Sequence, residues 1–278
     1  MSSLAGKVAL ITGAARGQGR SHAIRLAEEG ADIIALDSLT DIATIGYPMA
    51  SEDDLKETVR LVEALGRRIV SAKVDVRDGA GMTAAVNAGV AELGRLDIVI
   101  ANAGIVSFSF VEDMSDEMWD DVVDIVLSGS FRTVRAAIPH LKKNEKGGSI
   151  VFIGSLGAFK GNRNVAHYSA AKHGLVGMMK CLAIELAENN IRVNTISPTS
   201  TDTMMVHNLG SYQLFYPEKD ATKMGKEDVW DRHAGKNLLP VAWIDPIDIS
   251  NAIAWIVSDG ARYVTGASLP VDAGASTK

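Results

Sequence analysis

Apolar residues recur along this chain in short runs, and the segments between the runs carry apolar residues at helical spacing. The runs, which predict seven buried strands, are 8–11, 32–36, 69–74, 98–100, 150–153, 191–196 and 269–271. The segments with helical spacing are 17–29, 52–66, 79–93, 115–142, 168–189 and 246–258. Strands that are apolar throughout and alternate with helices are typical of a parallel sheet with helices on both faces. The pattern therefore predicts a doubly wound α/β fold with seven parallel strands.

Two segments lack a clean helical or strand period. Residues 38–51 follow the second predicted strand, and we interpret them as an inserted loop. Residues 199–237 follow the sixth predicted strand and mix charged residues with large apolar ones. Since long loops in compact domains usually form or cover binding sites, we interpret this second segment as a lid over a substrate pocket. No linker or repeat divides the sequence, so residues 1–278 are predicted to form a single domain.

Composition narrows the class of protein. The chain has 34 Asp and Glu against 28 Lys and Arg, and the resulting net charge of −6 argues against a nucleic-acid-binding protein. Cys181 is the single cysteine, which rules out an intrachain disulfide and fits a reducing compartment. The six histidines lack a ligand spacing, so no metal site is expected. No apolar run reaches the length of a membrane span and no signal peptide is recognised, so we expect a cytoplasmic protein that binds no membrane.

A glycine-rich segment follows the first predicted strand and opens the first predicted helix. Gly13 permits a tight turn, while Gly17 and Gly19 let the backbone approach a diphosphate at the helix N-terminus. The spacing is G-x-x-x-G-x-G instead of the commoner G-x-G-x-x-G, and taken alone it also fits a plain glycine turn. Placed between a strand and a helix, it predicts a Rossmann-type dinucleotide site that includes Arg16 and Gln18.

Asp37 ends the second predicted strand, where a carboxylate can accept hydrogen bonds from an adenosine ribose. Its charge would repel a 2′-phosphate, which favours NAD over NADP. Arg16 favours NADP instead, since a guanidinium can pair with a 2′-phosphate. It can equally pair with a carboxylate or lie over the adenine. The alternative for Asp37 is a solvated carboxylate at a strand end. Further residues predicted at this edge of the sheet, where ligands bind in open α/β folds, are Ser38, Leu39, Asp75, Val76, Asn102, Ala103 and Gly104.

Tyr168 and Lys172 occupy positions i and i+4 of a predicted helix and therefore share one face. A phenol with its ordinary pKa of about 10 is a poor base near neutrality, but a neighbouring ammonium lowers that pKa. The pair therefore predicts a general acid/base, and Ser155, just after the fifth predicted strand, is placed to hold a substrate oxygen. The alternative is an exposed Tyr-Lys helix face, which the glycine-rich segment disfavours.

Taken in order, these motifs resemble those of the short-chain dehydrogenases/reductases over essentially the whole chain. The matching positions are Thr12, Gly13, Gly17, Gly19, 102–104, Ser155, Tyr168, Lys172, Gly266 and 270–274. Residues 17–23, the insertion after Asp37 and residues 197–199 resemble, more narrowly, the mycofactocin-coupled, carveol dehydrogenase-like subgroup. That resemblance implies an alcohol dehydrogenase whose NAD is held beneath the inserted loop and does not exchange freely. Electrons would then leave through a second redox carrier of the mycofactocin type.

The resemblance also implies a role for each site residue. Ser155 would orient the alcohol or carbonyl, Tyr168 would exchange the proton, and Lys172 would lower the Tyr168 pKa while binding the nicotinamide ribose. The other implied contacts are Asp75 and Val76 with the adenine, 102–104 with the adenosine ribose side, and Pro198, Thr199 and Thr203 with the carboxamide.

The sequence departs from the family pattern at two positions. Val126 stands where many members place an Asn, which puts in doubt a proton relay through water to the lysine. Ala101 replaces the first Asn of an Asn-Asn-Ala-Gly run, and Asn102 remains.

Several readings stay open at this point. The main expectation is oxidation of an apolar, terpenoid-like alcohol, and Met204, Met205, Met224 and Trp230 either line its pocket or pack the lid onto the core. An NADP-linked carbonyl or ketoacyl reductase is favoured by Arg16, and a non-catalytic dinucleotide-binding regulator by Val126. Members of the family commonly pair the helices 115–142 and 168–189 across subunits, which implies a homotetramer.

Overall fold

The computed structural model describes residues 3–278, and the strands and helices in that range alternate as expected. The strands are β1 Val8–Thr12, β2 Asp32–Asp37, β3 Ile69–Lys73, β4 Ile98–Ala101, β5 Gly148–Ile153, β6 Ile191–Pro198 and β7 Ser268–Val271. The helices are α1 Gly17–Glu28, α2 Glu52–Ala64, α3 Gly79–Leu93, α4 Asp116–Val123, α5 Gly129–Leu141, α6 Ala166–Glu185, α7 Leu209–Phe215, α8 Lys226–Ala234 and α9 Pro246–Val257.

Across residues 3–278 the strands form one seven-stranded sheet in the order β3-β2-β1-β4-β5-β6-β7, and every neighbouring pair is parallel. The predicted doubly wound fold is therefore confirmed. The order of the strands reverses between β1 and β4, and the loops that leave these two strands run to opposite faces of the sheet. In open α/β sheets, ligands bind in the crevice that opens at such a point.

Both faces of the sheet are covered because successive strand residues point to opposite sides. Leu10 and Ile34 belong to an apolar cluster that also contains residues of α3, α5 and α6. Their neighbours Ile11 and Ile33 belong to a second cluster, with residues of α1, α2 and α9. The sheet is thus buried on both sides, as the continuous apolar strands predict.

The predicted helix 115–142 is not continuous. A π-helical turn, Asp124–Ser128, separates α4 from α5, so one turn of this segment contains an extra residue. The next predicted helix, 168–189, begins two residues early at Ala166, which places Tyr168 in the first turn of α6. Apolar spacing alone did not indicate either feature, because both are shifts of one or two residues.

The two segments without a period differ in structure. Residues 38–51 contain no regular strand or helix, and they are held by side chains: the Asp41 carboxylate accepts the Met49 N–H at 2.7 Å, and the Thr44 hydroxyl donates to Asp121 of α4 at 2.7 Å. Residues 199–237 include α7 and α8, which pack together through a small apolar cluster that contains Tyr212 and Val229. None of the helices within residues 3–278 is long and apolar enough to cross a membrane.

Candidate active site

A cavity of about 1070 Å³ opens at the carboxyl edge of the sheet. Its wall is formed by residues that follow β1 to β6, together with parts of the segments 38–51 and 199–237. The predicted site residues in this wall are Gly13, Arg16, Gly17, Gln18, Gly19, Asp37, Ser38, Asp75, Val76, Asn102, Ala103, Gly104, Ser155, Tyr168, Lys172, Pro198, Thr199 and Thr203.

The structure does not bring the side chain of Leu39, also predicted to bind the cofactor, to this cavity. Leu39 packs instead against the apolar cluster of α1, α2 and α9. Its backbone has a φ of 49°, in the left-handed region that few residues with a side chain adopt. In this conformation its N–H donates to the Asp37 carboxylate at 3.3 Å, so Leu39 acts on the site through its backbone.

The glycine-rich loop brings three backbone segments closer together than side chains would allow. A Cβ atom at Gly19 would lie 2.0 Å from the Gly13 carbonyl oxygen, and one at Gly13 would lie 3.0 Å from the Cα of Ala103. Gly13 and Gly17 both have a positive φ. Helix α1 starts at this loop with no capping side chain and no acidic residue in its first turn. Its first N–H groups are therefore available to an anion such as a diphosphate.

Asn102 fixes the shape of this loop. Its side-chain amide donates to the Thr12 and Gly13 carbonyl oxygens at 2.9 and 3.2 Å, and its own N–H donates to the Thr12 hydroxyl at 3.2 Å. The amide nitrogen is therefore engaged in tying β4 to β1. A contact of 102–104 with an adenosine ribose must therefore use other atoms of this segment.

Asp37 lies at the end of β2 with both carboxylate oxygens facing backbone donors. One oxygen accepts the Ala15 N–H at 3.0 Å and the other accepts the Leu39 N–H. Burial raises the pKa of Asp37, while these hydrogen bonds and the Arg16 charge act to lower it. Each carboxylate oxygen has a second lone pair, so acceptors remain for two ribose hydroxyls.

Arg16 connects the glycine-rich loop to the segment 38–51, because its guanidinium donates to the Pro48 carbonyl oxygen. A second connection runs through Arg77, which bonds the carboxylates of Asp75 and Asp121 at 2.8 Å each. Burial acts to raise the pKa of Asp75, but the hydrogen bonds and charge of Arg77 outweigh it and the net shift is downward. Asp121 also accepts the Thr44 hydroxyl. The segment 38–51 is thus held over the ends of β2 and β3 by polar contacts.

Tyr168, Lys172 and Ser155 meet where β5 and α6 approach each other. The Lys172 ammonium is buried, 4% exposed, and donates to the Ile153 carbonyl oxygen at 2.6 Å. It lies 5.4 Å from the centroid of the Tyr168 ring. The Ser155 hydroxyl accepts the Gly157 N–H at 3.1 Å. The three residues therefore lie in one wall of the cavity, as the sequence predicts.

In the chain without cofactor, the pKa of Tyr168 shifts in the direction opposite to the expected one. Burial raises the pKa of Tyr168, and hydrogen bonding with Ser155 lowers it by a smaller amount. Burial also lowers the pKa of Lys172 to about 7. Lys172 is buried and Tyr168 is partly buried, and burial disfavours the charged form of each side chain. In the chain alone, therefore, Lys172 does not bring the Tyr168 pKa below its ordinary value.

Val126 lies in the π-helical turn and is fully buried. One of its methyl groups would lie 3.8 Å from a Cβ built at Gly104, and the Lys172 ammonium would lie 3.9 Å from the same point. The Val126 carbonyl oxygen accepts the Ser130 hydroxyl at 2.7 Å. An apolar side chain therefore occupies the neighbourhood of Lys172 in which the family pattern has an amide.

Sequence reasoning missed Tyr47, which lies in the segment 38–51 and lines the cavity. Its hydroxyl accepts the Val106 N–H at 3.2 Å, and burial raises its pKa to about 12. The only available signal was a large aromatic residue in a segment without periodicity. It also missed His233 and Lys236, which line the cavity from the segment 199–237.

Two of the four large residues of the segment 199–237 line the cavity, and the other two pack within the lid. Met204 and Met205 line the cavity. Met224 packs against the small cluster of α7 and α8, and the Trp230 ring lies edge-on to Trp243 with centroids 5.1 Å apart. Within residues 3–278, no group of three His, Cys, Asp or Glu side chains is arranged to hold a metal ion.

The fold and this site define a class of protein. A family model described as short chain dehydrogenase matches residues 7–213, and the chain belongs to that family. It is 49% identical to (−)-trans-carveol dehydrogenase of Rhodococcus erythropolis, with 100% of both chains covered. The carveol dehydrogenase from Mycobacterium avium, solved in complex with NAD, superposes with a TM-score of 0.98 at 48% identity over 100% of both chains. A short chain dehydrogenase from Mycobacterium paratuberculosis bound to NAD gives 0.90 at 41% identity, over 99% of this chain and 100% of that one.

Proposed function

We propose that this chain is an NAD-dependent dehydrogenase that interconverts an apolar alcohol and its carbonyl compound. One observation carries the proposal: a single cavity joins the glycine-rich loop and Asp37 to Ser155, Tyr168 and Lys172. We call the wall formed by 13–19, 37–38, 74–76 and 102–104 the cofactor end, and the wall formed by 105–110, 155–168 and 204–236 the substrate end. NAD in two solved relatives and carveol in the names of two relatives support this choice.

The cofactor end fits a dinucleotide on its own geometry. Side chains at Gly13 and Gly19 would fill the space that backbone and diphosphate share, and Asp37 keeps acceptors for a ribose. Lys172 has three N–H donors, of which the Ile153 carbonyl uses one, so two remain for the nicotinamide ribose. Bound NAD supplies the ring that accepts a hydride from the alcohol carbon, and its positive charge favours the phenolate.

The chain itself supplies a proton acceptor and a means of orientation. In alcohol oxidation, the Tyr168 phenolate takes the hydroxyl proton, while the Ser155 hydroxyl donates a hydrogen bond to the substrate oxygen. Burial raises the Tyr168 pKa, so the phenolate depends on positive charge from Lys172 and from bound cofactor. The carbonyl product forms when the hydride and the proton have both left the alcohol.

The segment 38–51 supports slow exchange of the cofactor. Arg16 and the Arg77–Asp121–Thr44 contacts hold it over the cofactor end, and Tyr47 contributes its ring to the cavity wall. Electrons from each turnover then leave the retained NADH through an external redox carrier of the mycofactocin type.

Two alternatives have one observation each in their favour. An NADP-linked carbonyl or ketoacyl reductase requires a cation for the 2′-phosphate, and Arg16 is the candidate. Its guanidinium, however, donates to the Pro48 carbonyl oxygen, and the Asp37 carboxylate would repel the phosphate. A non-catalytic regulator is favoured by Val126, but Tyr168 and Lys172 remain in place beside the cavity.

The assembly and its setting are also part of the proposal. Trp119 on α4, Phe131 on α5 and Ile184 on α6 are exposed apolar residues on the helices that would pair in a homotetramer. Light scattering of the purified protein measures the assembly. Cys181 is exposed and free, which suits a reducing cytoplasm.

The test has two steps. Denaturing the purified protein and analysing the supernatant by mass spectrometry is expected to release NAD(H) and no NADP(H). Tyr168→Phe is then expected to retain NAD and to lose at least about 1000-fold in alcohol oxidation with an artificial electron acceptor. Wild-type rates in Tyr168→Phe would remove the proposed acid/base, and release of NADP(H) would favour the reductase.

A further inference from the structure

Among the described residues, both carboxylates of the cavity wall lie at the cofactor end, which also contains Arg16, whereas the substrate end contains cations and no carboxylate. The carboxylates are those of Asp37 and Asp75, and the cations of the substrate end are Arg163 and Lys236. An apolar alcohol has no group that would use either cation.

Lys236 follows α8 and is half-buried at the substrate end. Its ammonium nitrogen lies 3.5 Å from the centroid of the Phe215 ring, which also lines the cavity. Burial lowers the pKa of Lys236 to about 8, and no neighbouring carboxylate acts in the other direction. A cation in such surroundings gains from an anionic ligand, because its charge is partly removed from water and has no counter-ion.

His233, in the last turn of α8, lies beside this cation. It is 1% exposed and lines the cavity, and its ring centroid lies 4.5 Å from that of Phe215. Its Nδ1 is hydrogen-bonded to the Ser200 hydroxyl at 3.1 Å, while its Nε2 is buried with no partner among residues 3–278. Ring nitrogens of His22, His140, His167 and His207 are also buried and unpartnered, and among these five histidines His233 is the one that lines the cavity. When the Ser200 hydroxyl donates to Nδ1, Nε2 carries a proton and lacks an acceptor.

We propose that Lys236 and His233 form a subsite for a carboxylate on the substrate, which makes the substrate a hydroxy acid with an apolar skeleton between its two polar groups. The ammonium supplies the charge, and the His233 ring borders the same part of the cavity. Met204, Met205 and Phe215 supply apolar contacts for the skeleton. This inference rests on the proposed dehydrogenase function and names the substrate class for the same site.

The test compares two matched alcohols on the purified holoenzyme with an artificial electron acceptor. The substrates are trans-4-hydroxycyclohexanecarboxylate and trans-4-methylcyclohexanol. The first carries a carboxylate where the second carries a methyl group. We expect the wild-type enzyme to prefer the hydroxy acid. Lys236→Met, which keeps the length of the side chain, is expected to lower kcat/KM for the hydroxy acid by about 10- to 100-fold and to change that for the methyl compound less than about twofold.

Lys223→Met is the matched control. Lys223 belongs to the same segment, its side chain is 82% exposed, and it does not line the cavity. We expect this variant to leave both kcat/KM values unchanged. Equal losses for both alcohols in Lys236→Met, or release of its NAD, would overturn the subsite by making Lys236 a structural or cofactor contact.

A binding arm separates this inference from the proposed function. Calorimetry on the holoenzyme measures cyclohexanecarboxylate against cyclohexanecarboxamide, neither of which can be oxidised as an alcohol. Preferential binding of the carboxylate that is lost in Lys236→Met supports the subsite even if no alcohol is turned over. Equal affinities for the two ligands would exclude it, whatever the activity.

The pH dependence of the wild-type enzyme gives a test that needs no variant. The groups around Lys236 are His233, His207 beyond it, and Lys278, whose ammonium donates to the carbonyls of Gly235 and Asn237. Burial lowers the pKa values of His233 and His207, so both are neutral at pH 8.

Lys236 loses its proton as the pH rises through about 8. The ratio of kcat/KM for the hydroxy acid to that for the methyl compound is therefore expected to fall up to about tenfold per pH unit above that value. Lys236→Arg retains the charge and is expected to keep the ratio constant. A wild-type ratio that stays flat to pH 9.5 would contradict the proposal.

Discussion

The cofactor end and the substrate end of the cavity are constructed differently. At the cofactor end the wall consists of short loops that follow β1 to β4, and its shape is set by backbone geometry at Gly13 and Gly19. At the substrate end much of the wall consists of side chains, such as Met204 and Phe215, carried by a long segment whose helices α7 and α8 share a small apolar cluster of their own. A sheet edge therefore fixes where a dinucleotide fits, whereas an insertion decides what else fits beside it.

The largest expected effect comes from filling the cofactor end. Gly19→Val places a branched side chain where even a Cβ lies 2.0 Å from the Gly13 carbonyl oxygen. We expect NAD content after purification to fall at least about 100-fold, because the loop must open to accept the side chain. Gly177→Ala is the control, since a Cβ at that position of α6 meets no atom within 4 Å. Full NAD content in Gly19→Val would show that the loop is not the diphosphate site.

A second prediction compares two buried histidines, His233 at the substrate end and His22, which does not line the cavity. His22 on α1 is fully buried, its Nδ1 is hydrogen-bonded to Ser250 at 2.7 Å, and burial lowers its pKa to about 3. The unfolded chain therefore binds a proton between pH 6.5 and about 3 that the folded chain excludes, and stability is lost as the pH falls through that window. His22→Gln is expected to reduce this loss by up to about 1.4 kcal/mol per pH unit, measured by urea unfolding.

His233 has its pKa lowered to about 3 by burial as well, and repulsion by Lys236 contributes. His233→Gln is therefore expected to reduce the acid sensitivity of stability in the same direction. It should also weaken binding of cyclohexanecarboxylate, which His22→Gln should leave unchanged. An identical effect of both variants on ligand binding would show that the two histidines do not belong to separate functional regions.

A smaller effect is expected at Asp37, which determines dinucleotide choice by charge. Asp37→Asn keeps one acceptor oxygen, gives up one of the two hydrogen bonds from Ala15 and Leu39, and removes the repulsion of a 2′-phosphate. The ratio of NAD to NADP affinity is expected to fall about fivefold, as measured by calorimetry on protein refolded without cofactor. Ser3→Ala, far from the cavity, should not alter the ratio. If Asp37→Asn also leaves it unchanged, another residue selects the cofactor.

The smallest effect concerns the contact that ties the segment 38–51 to α4. Thr44→Val keeps the shape of the side chain and removes its hydrogen bond to Asp121. Loss of one such hydrogen bond corresponds to about 1 kcal/mol, so NAD is expected to dissociate about three- to fivefold faster in exchange with labelled NAD. Thr83→Val, on the exposed face of α3, serves as the control. Unchanged exchange would mean that other contacts hold the segment.

The sequence was sufficient for the fold and the cofactor end because both depend on patterns that are local in the chain. Apolar runs specify the strands, and the glycine-rich loop follows β1 directly, so its place at the sheet edge follows from topology. The same logic placed Ser155, Tyr168 and Lys172 in one wall. The family and its likeness to carveol dehydrogenase are confirmed by the relatives.

The substrate end could not be predicted in the same way, because its residues meet only in three dimensions. Phe108 and Lys236 both line this end although they lie far apart in the chain, and Lys236 belongs to a segment without a period. The direction of the Tyr168 pKa shift could not be predicted either, because it depends on burial and not on the spacing to Lys172. The backbone of Leu39 turned its side chain away from the expected contact through a φ that apolar patterning does not reveal.

The extra residue in the π-helical turn has an angular consequence for the molecule. Each residue of an α-helix advances the side chains by about 100° around the axis, so the insertion of one residue between α4 and α5 rotates everything before it by that amount. Asp121 stands before the turn, and its orientation toward Arg77 and Thr44 is set there. A single-residue deletion at 124–128 would leave both helices intact but would rotate Asp121 away from Arg77 and Thr44. The segment 38–51 would then lose its hydrogen bond to α4.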